Sequence, residues 1–205
     1  MVFVENIRRV NAHYQVYVND NNEQIVYQKP YFKLSDGALT LMNTPVNPAQ
    51  LKFDELSEFD KSKSYTGARF AKLKELVEKA GFKEFVQKFT RYQPLPEYKS
   101  RDSKEWDLLQ RVLTKWISEL SKPVLIVPLP LHHYVEDMSD YRDIAEKFNR
   151  IAGINGATLY DPLEDLKKYS REDRRNFRFE QDIHLTPPGH DAYAKLLAPI
   201  IRGLL

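Results

Sequence analysis

The sequence contains no cysteine, which excludes disulfides, thiolate metal sites and a cysteine nucleophile. Its absence fits a reducing compartment, so the cytoplasm is the default expectation for location. No apolar run approaches the ~20 residues that a membrane helix needs, and we expect no membrane span. The opening "MVFVENIRRVNAHY" lacks the basic region and apolar core of a signal peptide.

The chain also carries little net charge. The chain carries 31 basic and 29 acidic residues, a formal charge of +2, which gives no electrostatic argument for nucleic acid as a partner. Basic clusters such as "REDRRNFRF" are interrupted by acids and indicate a solvated surface. With 205 residues, of which 42% are hydrophobic, the chain can form one domain with a full core. We therefore expect residues 1–205 to be a single domain.

Strand signals dominate the first part of the chain. The opening "MVFV" reads as the tail of a strand, or alternatively as a short edge strand. Residues 13–42 are rich in Tyr, Val and Gln and predict a β-hairpin insertion. Within it, two alternating runs flank Ser35-Asp36-Gly37, which is ordinary hairpin-turn chemistry.

Helices and buried strands alternate after that. Helical periodicity predicts helices within 62–81, 82–92 and 103–122, the last with Ser103 as its N-cap. The continuous apolar run "KPVLIVPLPL" predicts a buried parallel strand. A helix capped by Gly153, a short strand ending at Asp161, a short helix and a helix from about 187 to 203 complete the chain. This order predicts an α/β fold with a largely parallel sheet.

Functional residues in such sheets lie just beyond the carboxyl ends of strands, which here points to "LHHY", "YDP" and "DIH". In the last of these, Asp182 stands two residues before His184. A carboxylate that accepts from one imidazole nitrogen fixes the tautomer, so that the other nitrogen can act as a base. The alternative is structural: Asp182 or Thr186 caps the final helix and His184 is a surface residue.

The segment "QDIHLTPPGHDAYAKLLAPII" resembles the last conserved block of the SGNH hydrolases, also called the GDSL family of esterases. The resemblance implies that Asp182 and His184 are the acid and base of a catalytic triad, and Gly189 matches the glycine that follows them. "KPYFKLSDGALTLMNTPV" and "PVLIVPLPLHHYVED" also resemble segments of this family. The fold it implies is α/β, a three-layer flavodoxin-like SGNH hydrolase fold.

The opening "VENIRRVN" resembles a divergent form of the family's third block. By that resemblance Asn6 helps to bind the oxyanion; the alternative is that Asn6 is a helix N-cap. The family's nucleophile, a serine in Gly-Asp-Ser, has no counterpart in this sequence. Ser35 in "LSDG" is the nearest look-alike, and the turn explains it.

We therefore expect the fold to be incomplete, with its first strands and the nucleophile upstream of Met1. The expected function is an SGNH-like hydrolase of ester bonds that lacks a normal esterase rate as it stands. The alternative is a non-catalytic binding remnant of the same fold. Missing strands would also expose a sheet edge through which the chain could form a homo-oligomer.

The expected substrate is a small-molecule or carbohydrate ester, with no cofactor. His132, His133 and Tyr134, beyond the buried strand, are candidates for lining its pocket, unless they are exposed loop residues. A metal-dependent hydrolase using His132, His133, His184 and Asp182 is a weaker alternative. Adjacent histidines rarely bind one ion together, and we expect no metal site.

Overall fold

A computed structural model describes residues 1–21, 23–66, 93–99, 103–180 and 184–204. Its contacts divide the chain into two compact units. The strand–helix unit includes described residues 1–5, 93–99, 113–180 and 184–204, and the hairpin unit includes 6–21, 23–66 and 103–112. The expectation of a single domain stays a prediction.

The structure is mixed α/β, and its elements are numbered along the described residues. The strands are β1 (Val2–Phe3), β2 (Tyr14–Val18), β3 (Gln24–Gln28), β4 (Tyr31–Ser35), β5 (Ala38–Met42), β6 (Leu51–Lys52), β7 (Ser64–Thr66), β8 (Leu125–Ile126), β9 (Pro128–Leu129) and β10 (Thr158–Leu159). The helices are α1 (Asn6–Asn11), α2 (Glu58–Ser62), α3 (Lys104–Ser118), α4 (His132–Val135), α5 (Arg142–Asn155), α6 (Leu163–Leu166), α7 (Arg171–Asn176) and α8 (Pro187–Arg202). None of these described helices has the length and apolar character needed to cross a membrane.

Parallel strands form the centre of the strand–helix unit. β9 pairs in parallel with β1, and β8 pairs in parallel with β10. Val127, between β8 and β9, accepts a hydrogen bond from the amide of Val2 over 2.9 Å. The apolar run 125–129 is thus bonded on both sides, and Ile126, Val127 and Leu129 are buried, which confirms the predicted parallel strand. Association through an exposed sheet edge stays a prediction.

Amphipathic helices cover this unit. Helix α5 runs between β9 and β10 and buries Ile144, Phe148 and Ile151 completely, as apolar residues at helical spacing should. The prediction that Gly153 caps this helix is wrong. The helix continues to Asn155, and Gly156, with a φ of 63°, is the left-handed residue that ends it.

The hairpin unit contains a four-stranded sheet in the order β6-β3-β2-β7 and a separate hairpin of β4 and β5. A two-residue turn joins β4 to β5, with positive φ angles of 51° at Asp36 and 79° at Gly37. Such angles are what a type I′ turn requires. The hairpins predicted within residues 13–42 are therefore confirmed, and Ser35 is the last residue of its strand. That they are an insertion into a larger fold stays a prediction.

Two helix predictions had different outcomes. Helix α3 is confirmed, and the Ser103 hydroxyl accepts from the amide of Trp106 over 3.2 Å. Tyr65, by contrast, was expected in a helix within 62–81 but lies in β7, which pairs in parallel with β2. Pairing with β2 overrides the apolar spacing here, since the stretch is also rich in strand formers. The rest of that prediction, from residue 67, and all of 82–92 lie outside the described residues.

Candidate functional site

The candidate site in the strand–helix unit is built from segments that follow its parallel strands. Helix α4 follows β9, and Tyr160 and Asp161 follow β10. Because parallel strands present their carboxyl ends at one edge of a sheet, these segments lie on the side where α/β proteins hold ligands.

Helix α4 contains the three residues that were expected to line a pocket. His133 is buried and Tyr134 has no exposed surface, whereas His132 is partly exposed. The Tyr134 hydroxyl donates to Oε1 of Gln93 over 2.7 Å. The rings of His132 and His133 lie 3.9 Å apart at their centroids. Tyr134 thus packs in the interior, and the substrate-binding role of all three residues stays a prediction.

Two arginines join the end of α4 to the segment that leads to His184. Arg178 donates through Nε to Oε1 of Glu136 over 2.6 Å, and the Glu136 side chain is only 3% exposed. Arg174 donates to Oδ2 of Asp137 over 2.6 Å and also to the carbonyl of Val135. Charged hydrogen bonds of this kind are strong and directional, so the two segments are held in a fixed relation.

His184 lies three residues before helix α8, in a segment whose backbone is hydrogen-bonded to Phe177 and Phe179. Its carbonyl accepts from the amide of Phe179 over 3.1 Å, and the amide of Thr186 donates to the carbonyl of Phe177 over 3.0 Å. His184 is exposed on this support. Asp182 lies outside the described residues, so its partnership with His184 stays a prediction.

Helix α8 begins at a tight junction with the same segment. Thr186 is the N-cap, and its hydroxyl oxygen accepts from the amide of Gly189 over 3.3 Å. Both parts of the structural alternative are therefore what the structure shows, since Thr186 caps the last helix and His184 is exposed. A Cβ on Gly189 would lie 2.2 Å from the carbonyl oxygen of Phe177. Only glycine fits at this approach, which gives a packing reason for a glycine after the two prolines.

Asp161 lies after β10. Its segment "YDP" was expected near the site, but Asp161 itself was not named as a candidate site residue. Its Oδ1 accepts from the amide of Leu163 over 3.0 Å, and burial raises its pKa. Burial raises the pKa of Tyr141 and Tyr193 as well, and the charge of Asp161 adds to both effects. The Tyr141 hydroxyl forms no hydrogen bond of normal geometry with the described residues. An acid directly after a buried strand and before proline was the available signal.

Asn6 is the first residue of α1 and is partly exposed. Glu5, directly before it, is buried at 6% exposure. A helix boundary by itself does not separate a cap from a first-turn residue, so both expectations for Asn6, a helix N-cap or a residue that helps to bind the oxyanion, stay predictions.

In the part of the chain that the structure describes, no three histidine or acidic side chains are grouped so that they could hold a metal ion.

A scan of protein-family models, a search among curated proteins and a search among solved structures each found no match to this chain. The likeness to SGNH hydrolases consequently rests on the sequence motifs alone.

Proposed function

We propose that this chain carries the acid–base part of an SGNH-type ester hydrolase site, with His184 as the base and Asp182 as the residue that orients it. The observation that supports this most is the position of His184. An exposed imidazole lies three residues before helix α8, and the backbone carbonyl of the same residue accepts from the amide of Phe179. A general base must be accessible to the group that it deprotonates.

The ion pair between Arg178 and Glu136 adds a second support. It links the segment before His184 to the residues that follow β9, where an α/β protein holds its ligand. Because the pair is mostly buried, the link should persist in solution better than a surface pair. Phe179, whose side chain is 50% exposed, offers an apolar surface in the same segment for the acyl part of an ester.

In the proposed reaction His184 removes the proton from the hydroxyl that attacks the ester carbonyl and returns it to the leaving alcohol. Asp182 accepts a hydrogen bond from the other imidazole nitrogen and stabilises the imidazolium that forms. A serine nucleophile would come from a Gly-Asp-Ser segment that residues 1–205 do not contain. Within this chain His184 can activate water, and the expected turnover is slow because no acyl-enzyme route is open.

The substrate class in this proposal is a small ester or an acylated sugar, since the same acid–base pair serves both. Hydrolysis of p-nitrophenyl acetate by the purified chain tests the proposal. General-base catalysis supplies about a hundredfold or more in favourable sites. For water activation at an exposed histidine we expect His184→Gln to lower the rate roughly tenfold.

His190→Gln is the matched control, because His190 is also exposed and lies in α8, six residues further along the chain. It should leave the rate unchanged. A His184→Gln variant that keeps the full rate would contradict the proposal. So would an equal loss in the two variants, since that would indicate unspecific imidazole chemistry.

A further inference from the structure

The hairpin unit contains a cleft of about 870 Å³. Its walls come from α1, β2, β4, α2 and the start of α3, all within that unit. A volume of this size is in the range that holds small molecules in proteins. None of its lining residues takes part in the proposed ester hydrolase site.

Aromatic rings form one wall of the cleft. His13 stacks on Tyr31 with the ring centroids 3.7 Å apart and an angle of 16° between the planes. Phe59 meets His13 edge-on at 6.3 Å and is 63% exposed. Burial, followed by the charge of Lys63, lowers the pKa of His13, which favours the neutral form of its ring. The wall is therefore an uncharged aromatic surface with one large ring open to a ligand.

The backbone holds this wall in place. The amides of His13 and Tyr14 both donate to the carbonyl of Lys63, over 2.7 and 3.3 Å. The start of β2 is thereby fastened to the end of α2, which carries Phe59. A rigid aromatic surface binds without an ordering cost, as a preformed site should.

Cationic side chains line the cleft in excess of acidic ones. Lys33, Lys63 and Lys104 line it and form no ion pair with any residue that the structure describes. The acids are Asp60 and Asp107. Ammonium groups in excess of carboxylates beside a concave surface favour a ligand that carries negative charge.

Hydrogen-bond acceptors complete the lining. The amide nitrogen of Asn11 donates to the carbonyl of Ile7 over 2.7 Å, and that of Asn43 donates to the carbonyl of Lys29 over 2.9 Å. These bonds orient both side chains. Their Oδ1 atoms accept from no described residue and can accept from hydroxyl groups of a ligand.

We propose that this cleft binds an anionic sugar ring, such as a uronic acid or a sulfated sugar. The lysines bind the anion, Asn11 and Asn43 accept from ring hydroxyls, and the exposed Phe59 packs on the C–H face of the ring. This combination distinguishes the ligand from a neutral sugar, which leaves the lysines unused, and from a simple anion, which leaves the aromatic wall unused. The inference goes beyond the proposed ester hydrolase function and does not depend on it.

Calorimetric titration of residues 1–205 tests this with four probes: methyl glucuronide, glucose 6-sulfate, methyl glucoside and acetate. At least one of the two anionic sugars should bind with an affinity about fivefold or more above those of methyl glucoside and acetate. Comparison of the two anionic sugars shows whether a carboxylate or a sulfate is preferred. The proposal is overturned if neither binds more tightly than the neutral sugar and the simple anion.

Variants assign the binding to the cleft. Phe59→Ala should weaken all sugar binding about fivefold or more, and Lys33→Ala/Lys104→Ala should remove the preference for the anionic sugar. The matched controls lie in the other unit: Trp116→Ala, an aromatic ring that is 53% exposed, and Lys115→Ala/Lys122→Ala. Both controls should bind as the wild type does. Equal effects in the cleft variants and their controls would refute the site.

Discussion

Gly189→Ala is the change whose consequence the structure defines most sharply. A methyl group on Gly189 would lie 2.2 Å from the carbonyl oxygen of Phe177 and 3.0 Å from its carbonyl carbon. Both are backbone atoms, so no side chain can rotate away to relieve the clash. Either the N-terminus of α8 or the segment at Phe177 must shift. The hydrogen bond from the amide of Thr186 to the carbonyl of Phe177 opposes such a shift.

Two effects of opposite sign determine the magnitude. Replacing glycine by alanine inside a helix stabilises a protein by roughly 0.5–1 kcal/mol through chain entropy. Inserting a methyl group into a closely packed site costs about 1–3 kcal/mol, and we expect the upper end because the methyl group would meet backbone atoms of Phe177. We therefore expect Gly189→Ala to lower the free energy of unfolding by about 2 kcal/mol.

Gly153→Ala provides the matched control. Gly153 also lies in a helix, but a Cβ there would meet nothing within 4 Å. The variant should gain roughly 0.5–1 kcal/mol, since only the entropy effect remains. Urea unfolding followed by circular dichroism measures both. A Gly189→Ala protein that is as stable as the wild type, alongside the expected gain at Gly153, would refute the packing described for α8.

Two further predictions concern charged groups. Glu136→Gln should lower the free energy of unfolding by about 2–3 kcal/mol, since it leaves the Arg178 cation without its buried anion. The control Glu119→Gln breaks an exposed pair with Lys115 and should lower it by under about 0.5 kcal/mol. Equal losses of the two variants in urea unfolding would contradict this reasoning. Burial raises the pKa of Asp161, so the folded state binds its proton more tightly and stability should fall as pH rises from the unfolded value of 3.8 through the raised one. Asp161→Asn removes that titration, so the stability of the variant relative to the wild type should increase as pH rises from 3.8 through the raised pKa. A difference that stays constant as pH rises above 3.8 would exclude Asp161 as a buried acid.

Local patterns predicted the elements whose type is evident from a short stretch of sequence. The apolar run at 125–129, the amphipathic helix α3 with its Ser103 cap, and the turn at Asp36-Gly37 all form as expected. In the helix and the turn the short stretch also specifies the hydrogen bonding, whereas the run at 125–129 takes its partners from distant strands. The confirmed part of the fold is accordingly its mixed α/β character and the hairpins.

Features that depend on distant partners could not be read from the sequence. The pairing of Arg178 with Glu136 joins residues 42 positions apart, and many other arginines and acids could have been matched. Tyr65 belongs to a strand because β2 lies beside it, which periodicity does not reveal. Gly153 and Gly156 are three residues apart, and only backbone geometry shows that the helix ends at the second.

The candidate site was predictable in one part. A histidine shortly before the last helix was identified from its motif, and the structure places His184 there with a hydrogen-bonded backbone. The burial of His133 and Tyr134 was not foreseen, because segments that follow a strand usually run over the protein surface. Asp161 was passed over because a lone carboxyl group without a nearby histidine in the sequence carries no catalytic signal.

The central claim is that Asp182 and His184 act as one catalytic unit, and a double-mutant cycle on p-nitrophenyl acetate hydrolysis tests it most directly. Rates would be measured for the wild type, Asp182→Asn, His184→Gln and the double variant. Residues that act as a unit are strongly non-additive, so the double variant should be no slower than His184→Gln alone. Losses that multiply in the double variant, or an Asp182→Asn protein with the full rate, would contradict the claim.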